Sequence, residues 1–501
     1  MGTEAGVVRR GLEPAAPASG ALQALTRRAS LSALASLLDY AVKAGVTLVI
    51  TPILVGGLGR SLYGVWEMLG RLVGYMSAAD GRPTEALRLV VAQQQGAADH
   101  DINRRSVGAA LTVWLLLLPV VLLVGAIITW FSPTIVNAPA ESHTAVRLTS
   151  ALLVVSSLLG GLGTVPESVL RGMNLGYKRM GLQAAVSIVW GALAAWAVYL
   201  GLGLAGLGGS LIARALITGV FFWLLVRKYV SWFRVARPTR PDVKRLLGMS
   251  VWLSAGDMIA KLLLASDVII LGAVVSPAAV TTFVLTGYAA RTGLGIHMFT
   301  AGAAMPGFGG LLGERQLERA AQVRRELLTL TWLFVTAVGA TVLAWNPSFL
   351  ALWVHDGARL YAGPWVDLLI VLIIAQTAFI RTDAYIIDAA LRPRRRVVIA
   401  AVTAVATLGL AIGLTHAFGI LGLCLGMMVG RGIQSVAYPV IVHRSLERPA
   451  GPPGARLAAA RLALTSALLL GAASWLGREL HVASWPVWLA GVVLTLALAV
   501  G

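Results

Sequence analysis

The sequence predicts an all-α polytopic membrane protein with 14 transmembrane helices, arranged as two six-helix lobes and an appended helix pair. Three observations predict this class. The chain is 57% hydrophobic and only 13% charged, whereas a soluble domain carries about twice that charged share. Apolar runs of about 20 residues, the helix length that crosses a bilayer, recur along nearly the whole chain. The first six runs also match the next six in the placement of charged residues and glycines, which indicates a duplication.

Fourteen apolar segments are long enough to span a membrane as helices. Numbered 1 to 14, they cover residues 31–56, 62–92, 107–131, 145–171, 182–200, 203–226, 249–275, 280–311, 327–350, 364–391, 397–417, 420–443, 460–477 and 483–500. Segment 2 is interrupted at Gly81-Arg82-Pro83 and segment 8 at Pro306-Gly307. Broken helices are tolerated where protein or a water-filled cavity shelters the freed backbone groups.

The duplication is visible as residue patterns that recur 216 to 221 positions apart. The matches are Asp39 and Lys43 with Asp257 and Lys261, Arg71 with Arg291, Glu167 and Arg171 with Asp388 and Arg392, and Gly203, Gly206 and Arg214 with Gly419, Gly422 and Arg431. Because six helices separate the repeats, both lobes have the same orientation, related by a pseudo-twofold axis along the membrane normal. A duplicated bundle with ionisable groups inside its apolar segments is typical of a transporter.

Loop charge predicts the orientation. The basic loops alternate with loops that carry at most one basic residue each, and they hold Arg104 and Arg105, Lys178 and Arg179, seven basic residues between 227 and 245, four arginines between 315 and 325, Arg394 to Arg396, and Arg444, Arg448 and Arg456. The positive-inside rule places the basic loops and both termini in the cytoplasm. This arrangement also accounts for the net charge of +19 without a nucleic-acid partner.

The predicted domains follow from the segments. They are a flexible cytoplasmic tail (1–30), an N-lobe of segments 1–6 (31–226), a basic cytoplasmic linker (227–248), a C-lobe of segments 7–12 (249–445) and the appended segments 13 and 14 (446–501). The linker contains Tyr229, Trp232 and Phe233 among arginines, which favours a position at an anionic membrane surface. Residues 313–326 predict a short amphipathic helix on the cytoplasmic face.

Charged side chains inside the segments are the candidate functional residues, because a charge at mid-membrane costs about 2.5–3.5 kcal/mol unless it has a partner, a hydrated cavity or a ligand. In segments 1, 2, 7 and 8 the bases are Lys43, Arg71, Lys261 and Arg291, and the acids are Asp39, Glu67, Asp257 and Asp267. Three of the bases follow an acid by four residues, so one interpretation is a set of structural ion pairs within helices. The set is formally neutral, so a cationic site requires some acids to be protonated or turned away; alternatively, one acid carries a coupling ion or proton.

Arg291 and Arg381 have no acid three or four residues away on their own segments. The partner of Arg291 is therefore expected on another segment, with Asp257 and Asp267 as candidates, or is a bound anion. Asp383 lies two residues after Arg381 and faces elsewhere on the helix. Arginine suits phosphate because its planar fork donates two parallel hydrogen bonds and remains charged in a partly buried site.

Other chemistry is not predicted. No histidines or cysteines stand at metal-ligand spacing, and no Walker A sequence is present. We expect no metal, no cofactor and no catalytic residue.

The chain resembles the multidrug/oligosaccharidyl-lipid/polysaccharide exporter superfamily. Residues 52–66, Pro-Ile-Leu-Val-Gly-Gly-Leu-Gly-Arg-Ser-Leu-Tyr-Gly-Val-Trp, are similar to the hairpin between the first two helices of Wzx-type polysaccharide flippases. Residues 171–178, Arg-Gly-Met-Asn-Leu-Gly-Tyr-Lys, are similar to the end of their fourth helix. The resemblance covers about residues 31–501.

The resemblance implies a multi-pass protein of the bacterial plasma (inner) membrane that acts in polysaccharide biosynthesis. It implies transport of a polyprenyl-diphosphate-linked oligosaccharide from the cytoplasmic to the periplasmic leaflet by alternating access. Lys43, Arg71, Lys261 and Arg291 then meet the diphosphate, and the appended helices resemble the pair that offers a lipid-tail groove in lipid II flippases. Membrane lipids and the polysaccharide polymerase machinery are the further expected partners.

Two alternatives remain open. A cation-coupled multidrug exporter of the same superfamily uses acids, for which Asp39, Asp257 and Asp267 are candidates. A membrane glycan polymerase or glycosyltransferase generally builds its active site on large periplasmic loops, and the loops predicted on that side are short. The sequence therefore favours a transporter over an enzyme.

Overall fold

The computed structural model describes residues 19–76, 80–94, 100–179, 181–303, 305–389, 393–446 and 455–500. Within these ranges the regular structure is helical, which confirms the predicted all-α class. The α-helices run, in chain order, as α1 Ser19–Gly74, α2 Pro83–Gln93, α3 His100–Ile135, α4 His143–Gly172, α5 Leu182–Tyr199, α6 Gly203–Tyr229, α7 Arg240–Leu264, α8 Ser266–Val274, α9 Pro277–Thr286, α10 Tyr288–Ala303, α11 Met305–Gly313, α12 Leu317–Trp353, α13 Pro364–Ala389, α14 Pro393–Ser445, α15 Ala455–Glu479 and α16 Trp485–Val500.

Ten helical spans in the described ranges are long and apolar enough to cross a membrane. The helix α1 holds segment 1 and the first part of segment 2, which continues in α2, and α14 holds segments 11 and 12. Both helices are kinked, at Gly59 and Gly419, where the backbone is not helical. Segment 8 corresponds to α9, α10 and α11, and segment 14 to the shorter helix α16. The arrangement is compatible with fourteen crossings, a number that stays a prediction.

Matching glycines of the two halves have the same unusual backbone. Gly203, at the start of α6, has φ +55°, and Gly419, at the kink of α14, has φ +58°. Side chains with a Cβ rarely adopt such angles, so each glycine allows the chain to turn sharply into the sixth segment of its half. This agreement is consistent with the duplication.

The two ends of the bundle differ in how the halves pack. We call the end with the arginine-rich loops the basic end and the opposite one the far end. One hydrophobic core at the far end contains residues of both halves, such as Met68 and Leu271. At the basic end, Leu87 and Phe222 belong to a core built mainly from the first half, and Tyr438 belongs to a separate core of the second half. The halves are therefore joined at the far end and packed separately at the basic end.

The junction at the far end is a seam between α1 and α9. The Arg60 guanidinium donates to the Thr282 hydroxyl at 2.6 Å, and the Thr281 hydroxyl donates to the Arg60 carbonyl at 2.6 Å. Gly64 faces Pro277 so closely that a Cβ on Gly64 would lie 1.8 Å from the Pro277 carbonyl oxygen. Close backbone contact through glycine is how membrane helices pack without a hydrophobic driving force.

Helix α7 crosses between the halves. Its first turns pack on α2 and α3, and Leu246 belongs to the first half's core, whereas its later turns pack on α14. Thr239 and Asp242 form a reciprocal capping box that starts α7 at Arg240, inside the stretch predicted as linker. The stretch 227–248 predicted as the basic linker therefore includes the end of α6 and the first turns of α7. Trp232 of this stretch is buried at 3% exposure, because its ring packs into the same core.

The predicted short amphipathic helix over 313–326 is wrong in its bounds, because residues 317–326 are helical but belong to a much longer helix. The chain turns at Arg315, whose φ is +57°, and α12 then runs without interruption from Leu317 to Trp353. No glycine or proline lies between residues 317 and 338 to end the helix. Its first turns are anchored by Ala320, which is fully buried in the second half's core at the basic end. The appended helices α15 and α16 both pack on α12.

Candidate functional site: charged groups inside the bundle

Arg291 lies at the centre of the bundle, where the halves meet. Segment 8 breaks at Gly287, so Arg291 stands in the first turn of α10, and its side chain lies over the Phe283 ring with 4.6 Å from Cζ to the ring centroid. Its guanidinium is 3.7 Å from the carboxylate of Asp267 on α8. Of the two acids that the sequence offered, the structure places Asp267 beside it. The pair is long for a charge-assisted hydrogen bond, which normally measures about 2.7–2.9 Å.

Arg71 and Glu67 of α1 complete this central group. Both lie close enough to Arg291 for their charges to act on it. They do not form the ion pair that their four-residue spacing suggested, since the described salt bridges within 4.0 Å include none between them. The centre therefore contains two guanidiniums and two carboxylates that are loosely arranged. Loose pairing leaves hydrogen-bonding capacity on the guanidiniums for a ligand.

Asp257 and Lys261 form the predicted pair on α7, with 3.0 Å between Nζ and Oδ2. The structure adds a partner that the sequence did not indicate, because Arg82 donates to Asp257 Oδ1 at 3.1 Å. Lys261 also donates to the Gly74 carbonyl at 2.5 Å. Arg82 and Gly74 flank the break between α1 and α2, so these contacts join the two halves at mid-depth. Lys261 and Asp257 thus act as an interhalf link in this conformation.

Asp39 and Lys43 do not pair within 4.0 Å in the described structure. Asp39 is buried at 4% exposure, whereas Lys43 is exposed. In the amide orientation that satisfies both neighbours, Gln183 donates to Asp39 Oδ2 at 3.0 Å and accepts from Arg179 at 3.0 Å. Arg179 in turn pairs with Glu167. A polar network across α1, α4 and α5 therefore replaces the simple pair along α1.

The sequence-predicted pairings near the basic end also change partner. Glu167 pairs with Arg179 rather than with Arg171, which reaches Glu85 at 3.2 Å. Asp388 pairs with Arg396 at 2.8 Å. Arg392, its predicted partner, lies outside the described residues. In both halves the acid, Glu167 or Asp388, therefore pairs with an arginine that follows its own helix in the chain.

Asp383 and Arg381 lie in different surroundings. Asp383 accepts two hydrogen bonds from Arg324 of α12, at 2.9 and 3.1 Å, and is 4% exposed. Arg381 instead lines a cavity of about 140 Å³ between α7, α13 and both limbs of α14. Arg396 and Arg431 line the same cavity. Sequence reasoning did not select these two arginines as site residues, although the repeat match of Arg431 with Arg214 placed it inside the membrane.

The predicted site residues therefore fall into four places. These are the centre (Arg71, Arg291, Glu67 and Asp267), the interhalf link (Asp257 and Lys261), the first half (Asp39 in its polar network and the exposed Lys43) and the second half (Arg381 in its cavity and Asp383 with Arg324). Among the described residues no group of three histidine, cysteine, aspartate or glutamate side chains is placed to hold a metal ion.

Comparison with known proteins identifies the family. A family model described as "Polysaccharide biosynthesis protein" matches residues 32–310, which is more than half of the chain. The chain belongs to this family. No curated protein matches it.

Solved structures with the same fold are transporters. The chain is similar to an inward-facing multidrug resistance MATE family transporter of the MOP superfamily (16% identity, TM-score 0.68, covering 83% of this chain and 99% of that one). It is similar to an outward-facing structure of such a transporter with TM-score 0.57, at 16% identity and with 85% and 97% of the chains covered. A third match is a MOP superfamily transporter from Pyrococcus furiosus, described by the reverse polarity of its binding pocket (16% identity, TM-score 0.54, covering 85% and 97%). At 16% identity these likenesses show that the chain shares the fold of these membrane transporters, which is the fold that the resemblance implied.

Proposed function

We propose that this protein moves a polyprenyl-diphosphate-linked oligosaccharide from the cytoplasmic to the periplasmic leaflet of a bacterial inner membrane. A transporter fold in a polysaccharide biosynthesis family supports a saccharide cargo that crosses the bilayer. The basic end faces the cytoplasm in this proposal, because arginine-rich loops are retained on that side. Both termini are then cytoplasmic.

The observation that carries the proposal is the state of Arg291. Its guanidinium is held at the meeting point of the halves, 28% exposed, with its nearest carboxylate partner 3.7 Å away. A charge in this position is costly without a ligand or a hydrated cavity. A diphosphate supplies several acceptor oxygens for the guanidinium fork, and Arg71, which lies close by, supplies a second fork.

The packing of the halves supports alternating access. The shared core at the far end and the separate cores at the basic end describe a conformation closed at the far end. Transport then requires the seam at Arg60 and Gly64 to open and the interhalf link at Asp257 to rearrange. Lys43 and Lys261 are further phosphate contacts in this proposal: Lys43 is already exposed, and Lys261 becomes available when its link to Asp257 and Gly74 breaks.

The test is translocation of a fluorescent polyprenyl-diphosphate oligosaccharide in proteoliposomes, comparing wild type with Arg291→Ala. We expect movement by the wild type and a loss of at least about tenfold in the variant, because a hydrogen-bonded charge contact is removed. Arg147→Ala is the control, since Arg147 lies over the exposed Trp130 ring at the far end, with Cζ 4.7 Å from the centroid. Equal movement by Arg291→Ala and wild type would leave Arg291 a structural charge. No movement by folded wild type with its native glycan and an imposed ion gradient would refute the flippase proposal.

A cation-coupled multidrug exporter is the second candidate, and Asp39 is the observation that favours it. Its Oδ1 is buried without a hydrogen-bond partner among the described atoms. A buried, half-satisfied carboxylate is a place for a proton or cation. Drug efflux that requires Asp39 and an ion gradient, with no movement of the lipid-linked glycan, would favour this candidate over the flippase.

A further inference from the structure

The cavity around Arg381 is separate from the central group and has an unusual lining. It is bounded by the apolar side chains of Ile259, Leu263 and Ile380, by the polar groups of Gln434 and Tyr438, and by three guanidiniums. Arg396 at its rim is 28% exposed, so the cavity is accessible from the basic end.

The three guanidiniums stand at increasing depth. Arg396 is in the first turn of α14. Arg381 is eight residues before the end of α13, which is about 12 Å along the helix axis. Arg431 is fourteen residues before the end of α14, or about 21 Å. The cavity therefore contains three guanidinium groups at successive depths, from the basic end towards the middle of the membrane.

Charge is not balanced within this cavity. Asp388 pairs with Arg396 at 2.8 Å. Among the described salt bridges within 4.0 Å, none involves Arg381 or Arg431. Arg431 donates to the Thr377 hydroxyl at 2.9 Å and to the Leu263 carbonyl at 2.6 Å, and its Nε is buried without a partner. The lining of the cavity thus contains three guanidiniums and no carboxylate, with Asp388 beside Arg396 and Asp267 close to Arg431 outside it. In surroundings of low polarity an anion is bound more strongly than in water.

The structural roles of these arginines differ. Arg431 donates to the Leu263 carbonyl next to the break between α7 and α8. It therefore has a structural role, capping the end of α7, that requires no ligand. Arg381 has no comparable contact among the described residues. Arg381 is only partly buried. A guanidinium inside the bundle that neither pairs nor caps is still costly to retain, and a ligand is the simplest compensation.

The cavity is electrostatically continuous with the centre of the bundle. Arg431 lies close enough to Arg381 on one side and to Asp267 and Arg291 on the other for their charges to interact. Asp267 therefore offsets part of the charge of Arg431, and Arg381 is the guanidinium of the cavity with the least compensation from a carboxylate or a carbonyl.

We propose that this second-half cavity is a binding site for a phosphate-type oxyanion, with Arg381 as its principal ligand and Arg396 and Arg431 as supporting donors. The two guanidiniums without a described salt bridge, Arg381 and Arg431, suit the charge of a diphosphate or of a doubly ionised phosphate. The anion comes either from the diphosphate of a lipid substrate or from free phosphate in solution. The site does not depend on which cargo the protein moves.

The experiment measures binding of inorganic pyrophosphate to the purified full-length protein in detergent by equilibrium dialysis. We expect saturable binding by wild type and a dissociation constant about tenfold larger, or more, for Arg381→Gln, because its fork is the least engaged with protein. Arg381→Lys should retain part of the affinity because it keeps the charge and loses the fork. Arg214→Gln is the matched control, since Arg214 is the repeat counterpart of Arg431 in the first half, and its affinity should equal that of wild type.

A second variant protects the test against misfolding. Arg396→Gln removes a guanidinium from the partly exposed rim, together with its ion pair to Asp388, and should also weaken pyrophosphate binding. Elution from gel filtration shows whether each variant is folded. Competition by a short-chain polyprenyl diphosphate would identify the lipid as the source of the anion, and pyrophosphate binding without such competition would identify a free anion; both support the site. Unchanged affinity in Arg381→Gln and Arg396→Gln, or no pyrophosphate binding by folded wild type, would overturn it.

Discussion

The seam between α1 and α9 allows a test of alternating access with a single methyl group. A Cβ on Gly64 would lie 1.8 Å from the Pro277 carbonyl oxygen and 2.6 Å from its carbon, whereas real Cβ contacts essentially never fall below 3.0 Å. The obstructing atoms belong to the backbone, so no side-chain rotation relieves the contact. In Gly64→Ala the two helices must therefore move apart by more than an ångström, which destabilises the closed far end.

The magnitude follows from overpacking. Inserting a methyl group into a well-packed contact costs about 1–3 kcal/mol, and a shift of this size changes the ratio of closed to open seam about 5- to 150-fold. Gly70→Ala is the matched control, because Gly70 lies on the same helix and a Cβ added to it would meet no atom within 4 Å. Both substitutions gain the helix propensity of alanine, about 1 kcal/mol in an exposed helix. Their difference therefore isolates the clash.

The assay is a distance distribution between spin labels at Gly56→Cys and Val275→Cys, on opposite sides of the seam. Cys424, the single native cysteine, is fully buried and should not be labelled. We expect a longer, broader distribution in Gly64→Ala and an unchanged one in Gly70→Ala. Identical distributions in both variants would show that this contact does not hold the far end closed.

Three further predictions concern the links within and between the halves. Arg82→Ala and Asp257→Ala should show a coupling of about 1 kcal/mol in a double-mutant cycle of unfolding stability, and strict additivity would argue against their ion pair. Asp383→Asn should lower unfolding stability by about 3 kcal/mol, because it leaves the largely buried Arg324 without its carboxylate, and a variant as stable as wild type would contradict this. Trp353→Phe should cost about 1 kcal/mol, because its indole donates at 2.6 Å to a carbonyl of α1, and retention of full stability would exclude a role for that bond.

The sequence predicted the fold class and the internal repeat because these depend on local composition. Apolar length identifies membrane helices independently of their neighbours. Gly203 and Gly419 were recognised as equivalent from spacing alone, and their shared positive φ follows from the freedom that only glycine has at such turns. The interruption of segment 2 was likewise readable, since α2 begins at Pro83.

The partners of the charged residues were not predictable from spacing. Four-residue separation places two side chains on one helix face, and of the described pairs of this kind that we predicted, only Asp257 and Lys261 are in contact. Arg179 is the partner of Glu167 and Arg324 that of Asp383, and Arg82 is a second partner of Asp257. Each comes from another helix or loop, and the choice among helices depends on long-range packing that no local pattern encodes.

By itself, then, the sequence determined that this chain forms a duplicated bundle of membrane helices with ionisable groups inside it, because hydropathy, glycine positions and charge offsets are properties of the chain. Tertiary structure alone decided where the positive charge is left unbalanced. It brought Arg381, Arg396 and Arg431 together from two helices into one cavity whose lining contains no carboxylate. The net charge of a site depends on which side chains face each other across helices, and that is fixed only when the helices pack.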